Sequence, residues 1–148
     1  MKIIIQRVIS ASCTINNQLY SEIDNGYLVL VGFTNDDNIQ VVEKLANKLI
    51  NLRIFNDDND KMNRSIVDID GNILSISQFT LYANSKKGNR PSFTDAMKPD
   101  QAMILYDYFN EYLKKYINNV KCGIFGADMK ISLINDGPVT IILDSNYL

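Results

Sequence analysis

The chain contains no histidine. That excludes Ser-His-Asp and Cys-His nucleophilic catalysis, imidazole acid–base chemistry and every metal site that needs an imidazole ligand. An enzyme built from this sequence moves its protons by other means. Cysteine is scarce. Cys13 and Cys122 stand far apart, form no CxxC pair and cannot complete a four-thiolate zinc site. They read as small buried hydrophobes rather than as a disulfide framework. Neither a metal nor a cofactor is expected. Long apolar runs are missing too. Gln6 and Arg7 interrupt the N-terminal run at once, and no stretch approaches the ~20 residues of a membrane span. A cytoplasmic protein with no membrane partner is expected. Basic charge is in deficit: 15 Lys and Arg against 17 Asp and Glu leave a net charge of −2. This argues against extensive contact with a phosphate backbone but allows contact with one end of a nucleic acid.

What is present suits one globular domain over residues 1–148. Hydrophobic residues make up 46% of the chain, enough for a core without staples. Residues 2–9 and 11–15 read as strands, with a turn at Asn16-Asn17. Residues 27–33 are almost continuously apolar and suit a strand buried on both faces. A helix follows, with a capping box from Asp37 to Gln40 and a core face of Ile39, Val42, Leu45, Ala46, Leu49 and Ile50. Residues 52–55 are extended. The acidic run 56–60 departs from the EF-hand pattern and reads as a solvated hairpin loop. A strand spans 73–81, and a long polar loop spans 84–98, a length that often marks function. Pro99 opens a second helix with a buried stripe of Ala102, Leu105, Tyr106, Phe109, Leu113 and Tyr116. Strands at about 120–125, 129–134 and 139–144 close the chain. Without regular βαβ alternation, this predicts an α+β fold: a mainly antiparallel, barrel-like sheet with two main helices packed on it.

Three segments resist explanation by packing alone. Ser77, Gln78, Phe79 and Thr80 end a predicted strand, in which Ser77 and Phe79 share one face and Gln78 and Thr80 the other. Thr80 is the natural candidate nucleophile, but its hydroxyl needs a base and none lies nearby in sequence. Lys86, Lys87 and Arg90 gather three cations within five positions, a possible phosphate contact. Asn135-Asp136-Gly137-Pro138 has the composition of a tight hairpin turn, yet Gly-Pro is an awkward way to open a strand.

Together the strings SQFTL at 77–81, GNRPSF at 88–93 and NDGPVT at 135–140 resemble the D-aminoacyl-tRNA deacylase family, of the D-tyrosyl-tRNA(Tyr) deacylase type. QRV at 6–8, RIFND at 53–57, KMN at 61–63, LYDYF at 105–109 and the run 125–129 fit the same pattern, in order and over essentially the whole chain. The resemblance implies a homodimer that hydrolyses the ester joining a D-amino acid, or mischarged glycine, to the terminal adenosine of tRNA. It implies that Gly137-Pro138 is cis and reaches into the partner's pocket, where backbone carbonyls exclude an L side chain and Arg7 orients the pair. Ser77, Gln78, Phe79 and Thr80 would line that pocket, with the Phe79 backbone meeting the substrate amino group. Phe125, Gly126 and Met129 would hold the terminal adenine. The ribose 2′-hydroxyl would help to activate water, which fits a site without histidine. The partner is then the aminoacylated acceptor end of tRNA. A module that binds this end or a D-amino acid without turnover is the alternative reading, and a plain dimeric scaffold leaves Gly137-Pro138 unexplained.

Overall fold

The computed structural model describes residues 1–148. Strand β1 (Lys2–Ile15) runs unbroken through both strands expected at the N-terminus. Strand β8 (Lys130–Asp144) pairs antiparallel along one edge of β1, from Lys130↔Thr14 to Asp144↔Lys2. The other edge is shared: β3 (Gly26–Gly32) pairs with residues 2–8, and β2 (Gln18–Ile23) with residues 11–15. Strand β6 (Asn72–Ser77) then pairs parallel to β3, and β7 (Val120–Cys122) parallel to β6. The sheet curls on itself. Ser21 Oγ of β2 donates to the Cys122 carbonyl at 3.0 Å, so the mixed sheet nearly closes into a barrel. The expected architecture of a barrel-like sheet with two helices is the one observed.

Two apolar clusters fill it. Val8, Ala11, Cys13, Ile23, Leu28, Leu74 and Ile76 pack inside the curl. Ile3, Ile5, Tyr27, Val29, Val31 and Ile73 face outward against α1 (Ile39–Ile50) and α2 (Pro99–Lys114). The apolar run at 27–31 therefore does serve two cores, as alternation along a strand requires. Phe109 and Leu113 of α2 are fully buried, each contributing about 1.5–3 kcal/mol.

Some local expectations need correction. The N-cap of α1 is Asn38, whose Oδ1 accepts from the Val41 N–H at 3.1 Å. Asp37 instead accepts from the Thr34 N–H at 2.7 Å and pairs with the Met1 ammonium. Tyr116 lies beyond α2 and is half exposed; Ile117 takes the buried position. Strand β2 and the short β5 (Met62–Arg64) leave no clear signal in the sequence, because their side chains are mostly exposed and carry little apolar alternation. Strand β5 pairs with β4 (Phe55–Asn56), making the acidic run the hairpin loop expected. Asp57 closes that loop by accepting from the N–H groups of Asn59 and Lys61 and from the Asn63 amide, at 2.8, 3.0 and 2.7 Å. No helix is long and apolar enough to cross a membrane. No three His, Cys, Asp or Glu side chains gather as a group that could hold a metal ion.

Candidate active site

Both motif segments depart from their predicted secondary structure. Strand β6 ends at Ser77, and Phe79–Tyr82 form a single 3-10 turn. The strand alternation predicted for residues 77–81 therefore does not hold. Gln78 makes the transition: its N–H donates to the Val31 carbonyl at 2.7 Å, and its carbonyl accepts from Leu81. Gly32 permits this close approach. A Cβ there would lie 2.8 Å from the Gln78 carbonyl oxygen.

This strand end opens onto a cavity of about 650 Å³. Ser77, Gln78 and Phe79 form one wall, and Phe125, Gly126 and Met129 another. The family resemblance points to both triplets, and the fold brings them together. Thr80 does not line the cavity. It is exposed, and its Oγ1 accepts from Gln78 Nε2 at 2.6 Å. An amide donor cannot take its proton, so the hydroxyl is not activated. Lining residues that sequence reasoning missed include Phe33, Phe93, Lys98 and Pro99. Phe93 meets Phe79 edge to face, with ring centroids 5.1 Å apart. The GNRPSF motif in the long loop gave the available signal for Phe93, and Pro99 reads from the sequence only as a helix start. Lys98 and Asp128 are the ionisable residues lining the cavity, and Asp128 already pairs with Lys130 at 2.8 Å. The walls are otherwise apolar side chains and main chain.

The second segment is not a hairpin turn. Asn135 pairs with Val8 and Thr140 with Gln6, so residues 136–139 of β8 bulge out opposite the single residue Arg7. The Gly137–Pro138 peptide is cis, and both residues are exposed. Arg7 is 7% exposed and braces the bulge from beneath. Its Nε donates to the Asp136 carbonyl at 3.1 Å, and its Nη1 to the Ile54 carbonyl at 2.6 Å and to Asn56 Oδ1 at 3.3 Å. Gly137 has φ +128°, and a Cβ there would sit 2.8 Å from Val139 Cγ2 and 3.1 Å from Arg7 Nη2. Only glycine fits this position.

The bulge and the cavity lie apart within one chain. Ile76 at the cavity pairs with Leu30, which pairs with Ile4, whereas Tyr27 pairs with Arg7. Three residues of strand separate them, about 10 Å of rise. Lys86, Lys87 and Arg90 are exposed on the loop before α2 and do not line the cavity.

A sequence profile of the D-Tyr-tRNA(Tyr) deacylase family matches residues 4–144. The chain belongs to that family. Membership makes it an enzyme, a D-aminoacyl-tRNA deacylase. A solved structure described as a c-Myc DNA Unwinding Element Binding Protein is 41% identical, with a TM-score of 0.93 over 97% of this chain and 98% of that one. Another, described as "a probable eukaryotic D-amino acid tRNA deacylase", is 18% identical, with a TM-score of 0.83 over 96% of this chain and 97% of that one. At that identity the second likeness speaks for the fold. For this deacylase, the absence of an acid–base pair beside Thr80 bears directly on chemistry. The wall around residues 77–79 can position an ester and offer main-chain dipoles, but it has no side chain set up as a nucleophile.

Proposed function

We propose that this deacylase hydrolyses the ester between a D-amino acid, or mischarged glycine, and the terminal adenosine of tRNA in the cytoplasm, without a metal or cofactor. In this reading Phe125, Gly126 and Met129 receive the adenine, while Ser77, Gln78 and the Phe79 backbone hold the aminoacyl group. Water attacks the ester carbonyl, assisted by the ribose 2′-hydroxyl, and the tRNA leaves with its terminal hydroxyl restored.

Selectivity then rests on Gly137 and Pro138. The observation that carries this reading is the Arg7-braced bulge, exposed yet about 10 Å of strand away from its own cavity. A homodimer lets each bulge enter the partner's cavity. The free edge of β8 and the exposed Ile134 and Ile142 on that strand favour such pairing. A main-chain wall rejects an L side chain by collision and ignores what a D side chain is, so many D-amino acids should be accepted.

The deciding experiment compares release of tyrosine from D-Tyr-tRNA and L-Tyr-tRNA, with chelator present and substrate in excess. Multiple turnovers on the D-ester alone are expected. No D-selective hydrolysis at micromolar enzyme would overturn the reading, and stoichiometric binding without turnover would favour a binding module.

A further inference from the structure

A second cavity, of about 540 Å³, lies between α2 and the segment 122–125. Asp107, Asn110, Glu111 and Lys114 form its helical wall, one face of α2. Phe125 lines both this cavity and the larger one, and its ring lies 5.9 Å from that of Tyr106. The two cavities are thus neighbours across one aromatic side chain.

We propose that the second cavity receives the base of the penultimate nucleotide of the acceptor end, a cytosine in tRNA. This rests on the reading that the larger cavity takes the terminal adenosine. A strand whose last base lies against one side of Phe125 has its preceding nucleotide within reach of the other. The chemistry matches cytosine in particular. Its pairing edge carries an amine donor beside two acceptors. Glu111 and Lys114 present a carboxylate beside an ammonium, 2.7 Å apart, and carboxylates are suited to accept from the cytosine amine. That amine has a second hydrogen. Asn110 lies in the same wall, 4% exposed, with a buried Oδ1 that has no hydrogen-bond partner; a turn of its side chain toward the cavity would bring that acceptor to the amine. Tyr106 and Phe125 supply aromatic surface for an unstacked base. Uracil would turn a carbonyl oxygen toward the carboxylates and is disfavoured. The carboxylates of Asp107 and Glu111 make the cavity unsuitable for phosphates, which confines its contact to the base.

The test measures kcat and KM for three esters: D-Tyr-tRNA ending in C-C-A, the same tRNA ending in C-U-A, and D-tyrosyl-adenosine. The wild-type enzyme should show a KM about tenfold higher for C-U-A with kcat little changed, as expected when one good base pairing is removed. Glu111→Ala and Lys114→Ala, both at exposed helix positions where alanine is well tolerated, should erase that difference. Both variants should hydrolyse D-tyrosyl-adenosine like the wild type, which a merely structural effect on Phe125 would not allow. Equal KM for C-C-A and C-U-A in the wild type overturns the proposal, and so does loss of D-tyrosyl-adenosine turnover in the variants. Wild-type turnover of D-Tyr-tRNA without any of D-tyrosyl-adenosine would instead strike the adenosine reading beneath it, so the two failures are distinguishable.

Discussion

Arg7 and Asp136 are joined twice: Nε of Arg7 donates to the Asp136 carbonyl at 3.1 Å and lies 3.3 Å from its carboxylate. The carboxylate is partly solvated, so the ion pair itself contributes little. The carbonyl hydrogen bond matters more, because it fixes the main chain immediately before Gly137. Replacing Arg7 with methionine keeps an apolar stem but orphans the carbonyls of Asp136 and Ile54. We expect a loss of about 1–3 kcal/mol in denaturant unfolding for the acceptors left unpaired. Selectivity should fall further than stability does. Hydrolysis of L-Tyr-tRNA should rise relative to D-Tyr-tRNA, and Arg7→Lys, which offers a point charge without the fork, should restore only part of the difference.

Gly137→Ala probes the bulge from its other side. The added methyl meets Val139 and Arg7, at a φ that costs an L-residue about 1–3 kcal/mol. The variant should fold but discriminate poorly. Action across a dimer can then be read by mixing. Gly137→Ala supplies an intact cavity, and a Gly32→Ala partner, whose added methyl collides with the Gln78 carbonyl, supplies an intact bulge. Random exchange between the two parents yields hybrids in half of the dimers, each with one complete site. D-selective activity should recover to about a quarter of wild type in a two-fold dimer. If exchange is complete by native mass spectrometry and nothing recovers, the bulge does not act on a partner.

How much of this was legible in the sequence follows from what each residue type reports. The helical faces of α1 and α2 and the doubly buried β3 were readable because apolar periodicity records burial directly. Ser77, Gln78 and Phe79 and the 125–129 segment could be singled out by motif, and the fold puts them on one cavity. The backbone path through the motifs was not legible. Residues 77–81 alternate well enough to read as strand, and only the docking of Gln78 on Val31 and Gly32 turns them into a 3-10 helix. Asn135-Asp136-Gly137-Pro138 carries turn chemistry, yet both flanks pair with the same strand, so it becomes a bulge. Local preference cannot report a pairing partner more than a hundred residues away. Asp37 has the chemistry of a cap, but the Thr34 N–H and the Met1 ammonium claim its carboxylate.

The loop cations give a prediction about salt. Lys86, Lys87 and Arg90 are exposed and outside the cavity, so on the proposed reading their contact with the substrate is to RNA phosphates. Their triple alanine variant should raise KM for D-Tyr-tRNA while leaving kcat and the D-to-L ratio unchanged. The slope of log KM against log salt should flatten by about one for each phosphate that is no longer neutralised. An unchanged slope and affinity would remove these residues from the binding surface.

Acid should loosen the bulge through the β4–β5 hairpin. The Asn63 amide, followed by the Lys61 and Asn59 N–H groups, holds the Asp57 carboxyl below its ordinary value of 3.8. A depressed carboxyl stabilises the loop above that ordinary value and loses the effect as pH falls through its folded value. The hairpin should therefore loosen below about pH 4. Because Arg7 is anchored on Ile54 and Asn56 of this hairpin, its hold on Asp136 should loosen with it. Amide exchange at Met62 and Arg64 followed against pH checks this, and Asp57→Asn should weaken the acid step, leaving the part that Asp68 contributes through Ser65.

Thr80 offers the sharpest test of mechanism. Its hydroxyl accepts a hydrogen bond from Gln78 and has no base beside it. Thr80→Ala should keep kcat within about tenfold of wild type, whereas removal of a true nucleophile costs on the order of 10⁴-fold or more. A burst of acyl-enzyme should be absent in rapid-quench experiments. Moving the burden to the RNA has its own signature: D-Tyr-tRNA ending in 2′-deoxyadenosine should bind with nearly unchanged affinity but turn over far more slowly. A normal rate on that deoxy substrate, together with a collapse in Thr80→Ala, would return the chemistry to the protein side chain.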